Sequence, residues 1–165
     1  RIGLNCGPMV TGNMGSEMRM NYTMMGDTVN LAARLESSAK QYGVYNFVGE
    51  NIYEAAKTHF AFRFLDFVKV KGKNVPVKVY ELVSDKNEIL SENIDLIKLF
   101  EQGIDHYFKQ EWKMAVNKFT QAENLEDKFE SRNTTPSQIY IERCEMFIKN
   151  PPEKDWDGVW KMTSK

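Results

Sequence analysis

Apolar residues alternate with polar residues over short runs in the first half of the chain and recur at helical spacing in the second half. The short runs, which glycines separate, predict strands at residues 1–6, 8–15, 20–24 and 43–49. Residues 28–41 predict a helix, with Asp27 as its N-cap and Gly43 as the left-handed residue beyond its end. Residues 51–57 predict a second, shorter helix.

An alternating segment at residues 60–82 predicts a β-hairpin whose turn is centred on Gly72. Pro76 predicts that the second arm lies near the edge of its sheet, because proline cannot donate a ladder hydrogen bond. Strands interleaved with two helices therefore make residues 1–84 an α+β unit.

The second half of the chain predicts three helices, at residues 94–109, 111–123 and 136–149. The Pro151–Pro152 pair ends the last of them, because proline cannot continue a helix. Residues 85–165 are thus predicted to form an all-α extension. In its tail, Trp156 and Trp160 are expected to complete the helical core, with insertion into a groove as the alternative.

Composition narrows the classes of function. The 165 residues are 27% charged and carry a net charge of −1, so nucleic acid is not predicted as a partner. Cys6 and Cys144 form no pairing pattern, which indicates a reduced, cytosolic setting. No apolar run approaches the roughly 20 residues of a membrane span. Because the sequence begins inside a predicted strand, without Met, we expect a piece cut from a longer protein.

The helix at residues 28–41 carries two polar side chains at a spacing that suits a ligand. Asn30 and Arg34 are four residues apart and share one helix face, about 6 Å from each other. An amide and a guanidinium so placed can hold a sugar oxygen and a phosphate, since the planar arginine fork matches phosphate oxygens. The structural alternative is that Arg34 pairs with Glu36 or Glu17, while Asn30 caps a neighbouring loop.

Lysines concentrate around the predicted hairpin turn, at positions 69, 71, 73 and 78. Lys71 and Lys73 flank Gly72, where the backbone could approach a polyphosphate closely. The alternative is a solvated hairpin whose lysines discourage aggregation.

The common sequence motifs for nucleotide binding, metal binding and nucleophilic catalysis are missing from this sequence. Gly12, Gly15 and Gly26 form neither a P-loop nor a dinucleotide fingerprint, and no metal-ligand cluster or catalytic triad can be argued from spacing. Six methionines crowd the first half, and they are predicted to be flexible core filler. They are Met9, Met14, Met18, Met20, Met24 and Met25.

Taken together, two stretches resemble the C-terminal half of a class III nucleotidyl cyclase domain: RIGLNCGPMVTGNMGSEMRMNYTMMGDTVNLAARLE and VKVKGKNVPVKVYEL. The resemblance rests on the GN-G pair, the YT-GD-VN-AAR run and the KGK turn, in the family's order and spacing. It implies a ferredoxin-like half-sheet and conversion of a nucleoside triphosphate into a 3′,5′-cyclic monophosphate and pyrophosphate. The family's sites form between two catalytic domains, which implies ATP and a second cyclase domain (a homodimer) as partners.

The resemblance also implies roles for individual residues. Asn30 would orient the ribose, and Arg34 would stabilise the charge that builds on the α-phosphate in the transition state. Thr23 occupies the purine-reading position and favours ATP, while Met24 would contribute backbone contacts to the base. The resemblance also implies two cationic side chains that would contact the triphosphate. Lys71 matches the triphosphate lysine, and Arg1 matches an arginine that reaches the triphosphate from the metal-bearing partner domain.

The family's two metal-binding aspartates lie upstream of the first residue of this chain. The resemblance implies two divalent cations, Mg²⁺ or Mn²⁺, in the parent enzyme, with ligands absent from this chain. None of Asp27, Asp66 and Asp85 sits in a matching motif, so no metal ligand is predicted. The chain alone is therefore expected to be inactive, and its parent to be an adenylate cyclase. The alternatives are a guanylate cyclase, or a degenerate cyclase domain that serves as a regulatory or scaffolding module.

The second half resembles a tetratricopeptide-like helical pair without its terminal proline. The matching small and aromatic positions are Gly103, Ala115, Phe119 and Ala122. One such pair cannot bury its own face, so it must dock on the third helix, the first half or another chain. The region also resembles C-terminal extensions of some bacterial membrane-anchored cyclases. This implies a cytoplasmic domain, and leaves open both an upstream membrane anchor and a protein partner for the helices.

The strand at residues 1–6 lacks the neighbours that an upstream segment would supply. We expect it to expose a sheet edge or an apolar face, which chains usually cover by pairing. The sequence therefore predicts assembly with a second copy.

Overall fold

The computed structural model of the chain describes residues 1–68, 76–127, 132–153 and 156–159. Within them, the strands are β1 (Ile2–Leu4), β2 (Val10–Ser16), β3 (Arg19–Met25), β4 (Asn46–Gly49), β5 (Phe60–Val68) and β6 (Val77–Asp85). The helices are α1 (Asp27–Ala39), α2 (Glu50–Ala56), α3 (Ser91–Phe108), α4 (Trp112–Glu123) and α5 (Pro136–Lys149). The architecture is α+β, and each predicted helix and strand is present, most of them with slightly different ends.

A four-stranded sheet in the order β1-β4-β6-β5 organises the first half, while β2 and β3 form a separate antiparallel ladder. Strand β1 runs parallel to β4, and the other pairs in the larger sheet are antiparallel. The prediction from Pro76 is wrong, because β6 lies between β4 and β5. Pro76 precedes the first residue of that strand and so interrupts no ladder hydrogen bond. Strand β1 lies at an edge of the described sheet, as predicted.

Helices α1 and α2 cover opposite faces of this sheet. Successive strand residues point to opposite faces, and Phe47 packs in the cluster of α1, whereas Val48 packs with α2. In α1, Leu31, Leu35 and Ala39 recur every four residues and are buried. One stripe of the helix therefore faces the sheet, and the rest of its surface remains available.

The start of α1 differs from the prediction. Gly26 is the N-cap residue, Asp27 is the first helical residue, and no side chain makes a capping hydrogen bond. The Asp27 carboxylate instead lies in the first turn, where the helix dipole favours negative charge. At the other end, Gly43 has a φ of +65°, in the left-handed region as predicted.

The helical half has its own aromatic core. Gly103 lets α3 approach α4 so closely that a Cβ at this position would lie 2.6 Å from the Phe119 ring. Trp156 packs on the same core, with its ring centre 5.2 Å from that of Tyr107. This packing confirms the prediction for Trp156, whereas Trp160 lies outside the described residues.

Buried charges join the two halves of the chain. Arg63 of β5 donates through Nη1 to Glu126 Oε1 at 2.6 Å, and both side chains are almost fully buried. Burial alone would raise the pKa of Glu126, but Arg63 and Arg132 lower it below its usual value. The helical pair is thus covered by α5 and by the first half of the same chain. Among the described residues, no helix has the length and apolar character needed to cross a bilayer.

Replacing Gly103 by Ala should lower the free energy of unfolding by about 1–3 kcal/mol, because the new methyl group overpacks the α3–α4 contact. Gly12→Ala is the matched control, since a Cβ there meets open space, and it should change stability by less than about 0.5 kcal/mol. Urea unfolding followed by circular dichroism measures both values. Equal losses in the two variants would contradict the close approach of α3 and α4.

Candidate active site

Helix α1 presents Asn30 and Arg34 on its solvent-exposed surface. The buried stripe of Leu31, Leu35 and Ala39 fixes the rotation of the helix about its axis. Because the two polar residues are one turn apart, they project from the same side of the helix. The structure thus offers an amide and a guanidinium to a ligand outside the core.

The predicted base-binding residues lie immediately before this helix. Thr23 and Met24 are exposed residues near the end of β3, where they pair with Gly12 and Thr11 of β2. Gly26 then turns the chain from strand to helix with a φ of +150°, which side chains rarely tolerate. The carbonyl of Gly26 accepts a hydrogen bond from Asn30 N at 3.1 Å. The strand end and the helix start are therefore joined by one sharp, hydrogen-bonded turn.

Strand β1 packs directly along α1. A Cβ at Gly3 would lie 2.1 Å from the Ala32 carbonyl oxygen, so only glycine permits this approach. Further along the strand, Asn5 Nδ2 donates to the carbonyl of Thr28 at 3.1 Å. The strand and the helix consequently run in opposite directions, with the end of β1 beside the start of α1.

This arrangement separates Arg1 from Asn30. The Arg1 guanidinium lies 6.0 Å from the centre of the Tyr45 ring, near Lys40 and Gly43. Lys40 is ten residues beyond Asn30, which is about 15 Å along a helix axis. Within one chain, Arg1 and Asn30 therefore do not share a site.

The triphosphate lysine of the sequence-based hypothesis, Lys71, lies outside the described residues, as do Gly72 and Lys73. The hairpin arms that lead to it are present, and Val68 pairs with Val77 at their described ends. Lys78 forms an ion pair with Glu50, with Nζ 3.0 Å from Oε1.

The described residues do not fit a pair of divalent cations. Among them, no group of three or more His, Cys, Asp or Glu side chains comes close enough to hold a metal ion. The carboxylate of Asp66 is buried and accepts hydrogen bonds from Tyr42 and Arg143, while that of Asp85 accepts from Asn87. No chemical step is therefore assigned to a metal bound by these residues.

The methionines are not core filler, and this prediction is wrong. Five are exposed, because no other strand or helix among the described residues covers the β2–β3 ladder: Met9, Met18, Met20, Met24 and Met25. Val10 and Tyr22 of the same ladder are also exposed, and Met14 is half-buried. Exposed apolar patches of this kind usually mark an interaction surface. The sequence signal that could have indicated this exposure is the presence of apolar residues on both faces of β3.

Comparison with known proteins identifies the family. The model of the adenylate and guanylate cyclase catalytic domain matches residues 1–84. The chain therefore belongs to the family of adenylate and guanylate cyclase catalytic domains.

Individual relatives agree with this assignment. The terminal-differentiation-specific adenylate cyclase of Dictyostelium discoideum is 32% identical over 154 residues, which are 90% of this chain and 7% of that protein. Adenylate cyclase 1 of Rhizobium meliloti is 39% identical over 83 residues, which are 50% of this chain and 12% of that protein. The chain thus spans a small part of these relatives, and the first alignment continues well into the helical half.

Among solved structures, the adenylyl cyclase CyaB from P. aeruginosa has 32% sequence identity and a TM-score of 0.45. The match covers 53% of this chain and 44% of that one.

Proposed function

We propose that this chain is the C-terminal part of an adenylate cyclase catalytic domain, in a longer protein that converts ATP into 3′,5′-cyclic AMP and pyrophosphate. One observation carries the proposal. Asn30 and Arg34 project together from a helix that the core holds in place, directly after Thr23 and Met24. The prevalence of adenylate cyclases among the relatives supports ATP as the substrate.

In the proposed reaction, the ribose 3′-oxygen forms a bond to the α-phosphorus. The bond from that phosphorus to the bridging oxygen of the β-phosphate breaks, and the 3′-hydroxyl proton is lost. Asn30 would hold the ribose in the attacking orientation, and Arg34 would donate to the α-phosphate oxygens as their charge increases. Thr23 and the Met24 backbone would contact the base, and Lys71 the terminal phosphates. Mg²⁺ or Mn²⁺ is expected on residues outside this chain, so the chain alone is proposed to be inactive.

A second cyclase domain is proposed to complete the site. The exposed methionine surface of the β2–β3 ladder and the edge strand β1 support pairing with another copy. Arg1 lies too far from Asn30 to serve the same nucleotide, so we assign it to the nucleotide of the partner domain.

We also propose which known folds the two halves of the chain belong to. Residues 1–84 would be half of a ferredoxin-like domain, and residues 85–165 a tetratricopeptide-like extension. The contact of Gly103 with Phe119, and the burial of Ala115 and Ala122, support the second assignment. A protein partner for the extension, and the cytoplasmic placement of the domain, stay predictions.

Two alternatives remain distinguishable. A guanylate cyclase is favoured by the 37% identity over 73 residues to soluble guanylate cyclase 89Db of Drosophila melanogaster. Thr23 argues against it, because a guanine-binding site needs partners for the amino and ring N–H groups of that base. A scaffolding module without activity would have no need for exposed Asn30 and Arg34 on one helix face.

Asn30→Ala and Arg34→Ala should each lower turnover by the longer protein roughly a hundredfold or more, the scale of one lost transition-state donor. Cyclic nucleotide formation from ATP and from GTP measures the loss and identifies the substrate. Lys113→Ala is the matched control, since it removes an exposed cation from α4, away from the site and from the residues that hold α1, and should leave turnover unchanged. Unchanged turnover in both site variants, at unchanged stability, would refute these roles. Preference for GTP would support the guanylate cyclase.

The 165-residue chain should form dimers in solution through the methionine surface. Met20→Glu should weaken the dimer, because it places a charge in a contact that excludes water. Met114→Glu is the matched control, since Met20 is 62% and Met114 54% exposed but the latter lies on α4. Light scattering over a concentration series measures the mass, and a strictly monomeric wild-type chain would count against the proposal.

A further inference from the structure

The connection between α1 and β4, residues 40–45, is held by the helical half of the chain. Tyr42, in this connection, donates through Oη to Asp66 Oδ2 at 2.6 Å. The same carboxylate oxygen accepts from Arg143 Nη1 of α5, also at 2.6 Å. Arg143 Nη2 then donates to Tyr42 Oη at 3.3 Å. Three side chains from the connection, the sheet and the last helix thus form a closed hydrogen-bonded triangle.

The triangle is buried and its charges are defined. Tyr42, Asp66 and Arg143 are all buried. Burial by itself would lower the pKa of Arg143, but the Asp66 carboxylate holds it above its usual value, so the guanidinium stays charged. Burial and Asp66 raise the pKa of Tyr42, which keeps the phenol as a neutral donor. Charge-assisted bonds in such surroundings are stronger than those between neutral groups.

A second set of contacts reaches the same connection from the segment before α5. Arg132 Nε donates to the carbonyl of Gly43 at 2.9 Å. A Cβ at Gly43 would lie 1.9 Å from the carbonyl oxygen of Thr134, so this segment rests directly on the Gly43 backbone. Two independent parts of the helical half therefore contact one short connection.

The connection is rigidly joined to α1. Val44 N donates to the carbonyl of Ala39, the last residue of the helix, at 3.1 Å. Leu35, Ala39 and Tyr42 belong to one buried cluster. Because α1 is a 13-residue helix with Asn30 and Arg34 in its first two turns, a shift of Tyr42 displaces or rotates those side chains.

We propose that Arg143, with Asp66 and Tyr42, positions helix α1, so that the helical half sets the alignment of Asn30 and Arg34. The effect on catalysis rests on the proposed cyclase function, whereas the positioning of α1 does not. Arg143 is a positioning residue, because it acts on the site through Tyr42. A displacement of α5 would then alter turnover without touching the nucleotide, since misplacement by about 1 Å can cost about a hundredfold in rate.

The first test uses the 165-residue chain and does not depend on activity. Hydrogen exchange of the α1 amides is measured in wild type, in Asp66→Asn/Arg143→Gln and in Gly103→Ala. The paired substitution removes both charges and so avoids a buried, unpaired carboxylate. Relative to exchange in α4 of the same molecule, exchange in α1 should accelerate at least about tenfold in the paired variant, and this ratio should not rise in Gly103→Ala, under conditions where both are folded.

A rise in this ratio in both variants, or in neither, would overturn the inference, because a merely structural contact would loosen the molecule as a whole and leave the ratio unchanged. Gly103→Ala supplies this comparison, since it disturbs the α3–α4 contact and not the α1–β4 connection.

The second test measures steady-state kinetics of the longer protein with the same variants and Arg143→Lys. The paired variant should lose at least about tenfold in kcat with KM changed by less than about threefold, and Arg143→Lys should recover part of the loss. Selective loosening of α1 with unchanged kcat would overturn the positioning role. If the wild-type longer protein forms no cyclic nucleotide, the proposed function fails, while hydrogen exchange still decides whether the helical half holds α1.

Discussion

Two buried ion pairs across the boundary between the sheet and the helices are the constraint on which the rest of this structure depends. Arg63 of β5 meets Glu126, and Arg143 of α5 meets Asp66. Removing such charges from water costs several kcal/mol per ion, which only good geometry and further hydrogen bonds offset. Tyr42 and Ser137 supply those further bonds, so the helices can dock on the sheet in one arrangement without leaving a charge unpaired.

This docking explains how an exposed site can be rigid. Asn30 and Arg34 lie on the exposed surface of α1. The helix beneath them is fixed along its length by the buried stripe of α1 and at its far end by Tyr42. By contrast, the ladder of β2 and β3 projects its methionines into solvent. Helix α1, which would orient a nucleotide, is therefore held by the core. The β2–β3 ladder, which a second domain would contact, is exposed to solvent.

Local patterns predicted the elements well. Helix α5 has its predicted ends, because Thr135 caps it, Pro136 begins it and Pro151 follows it. The spacing of Asn30 and Arg34 likewise placed both on one helix face, since helical periodicity alone decides this. These features depend on residues close together in the sequence.

Features that depend on distant residues were not predictable in this way. Arg143 and Asp66 are 77 positions apart, and nothing near either residue indicates the other. Pro76 suggested an edge strand, but strand order is set by the packing of the whole sheet. The methionines were assigned to the core because flexible apolar side chains suit it, whereas no other element in the described part of the chain covers the ladder that carries them.

In the proposed function, α1 holds the Arg34 guanidinium at the α-phosphate of a nucleotide and the Asn30 amide at its ribose. The most direct test is a crystal structure of the longer protein, assembled as a dimer, with an ATP analogue that cannot cyclise. We expect Arg34 nitrogens about 3 Å from α-phosphate oxygens and the Asn30 amide at the ribose. A nucleotide bound with both side chains turned away from it would refute both roles.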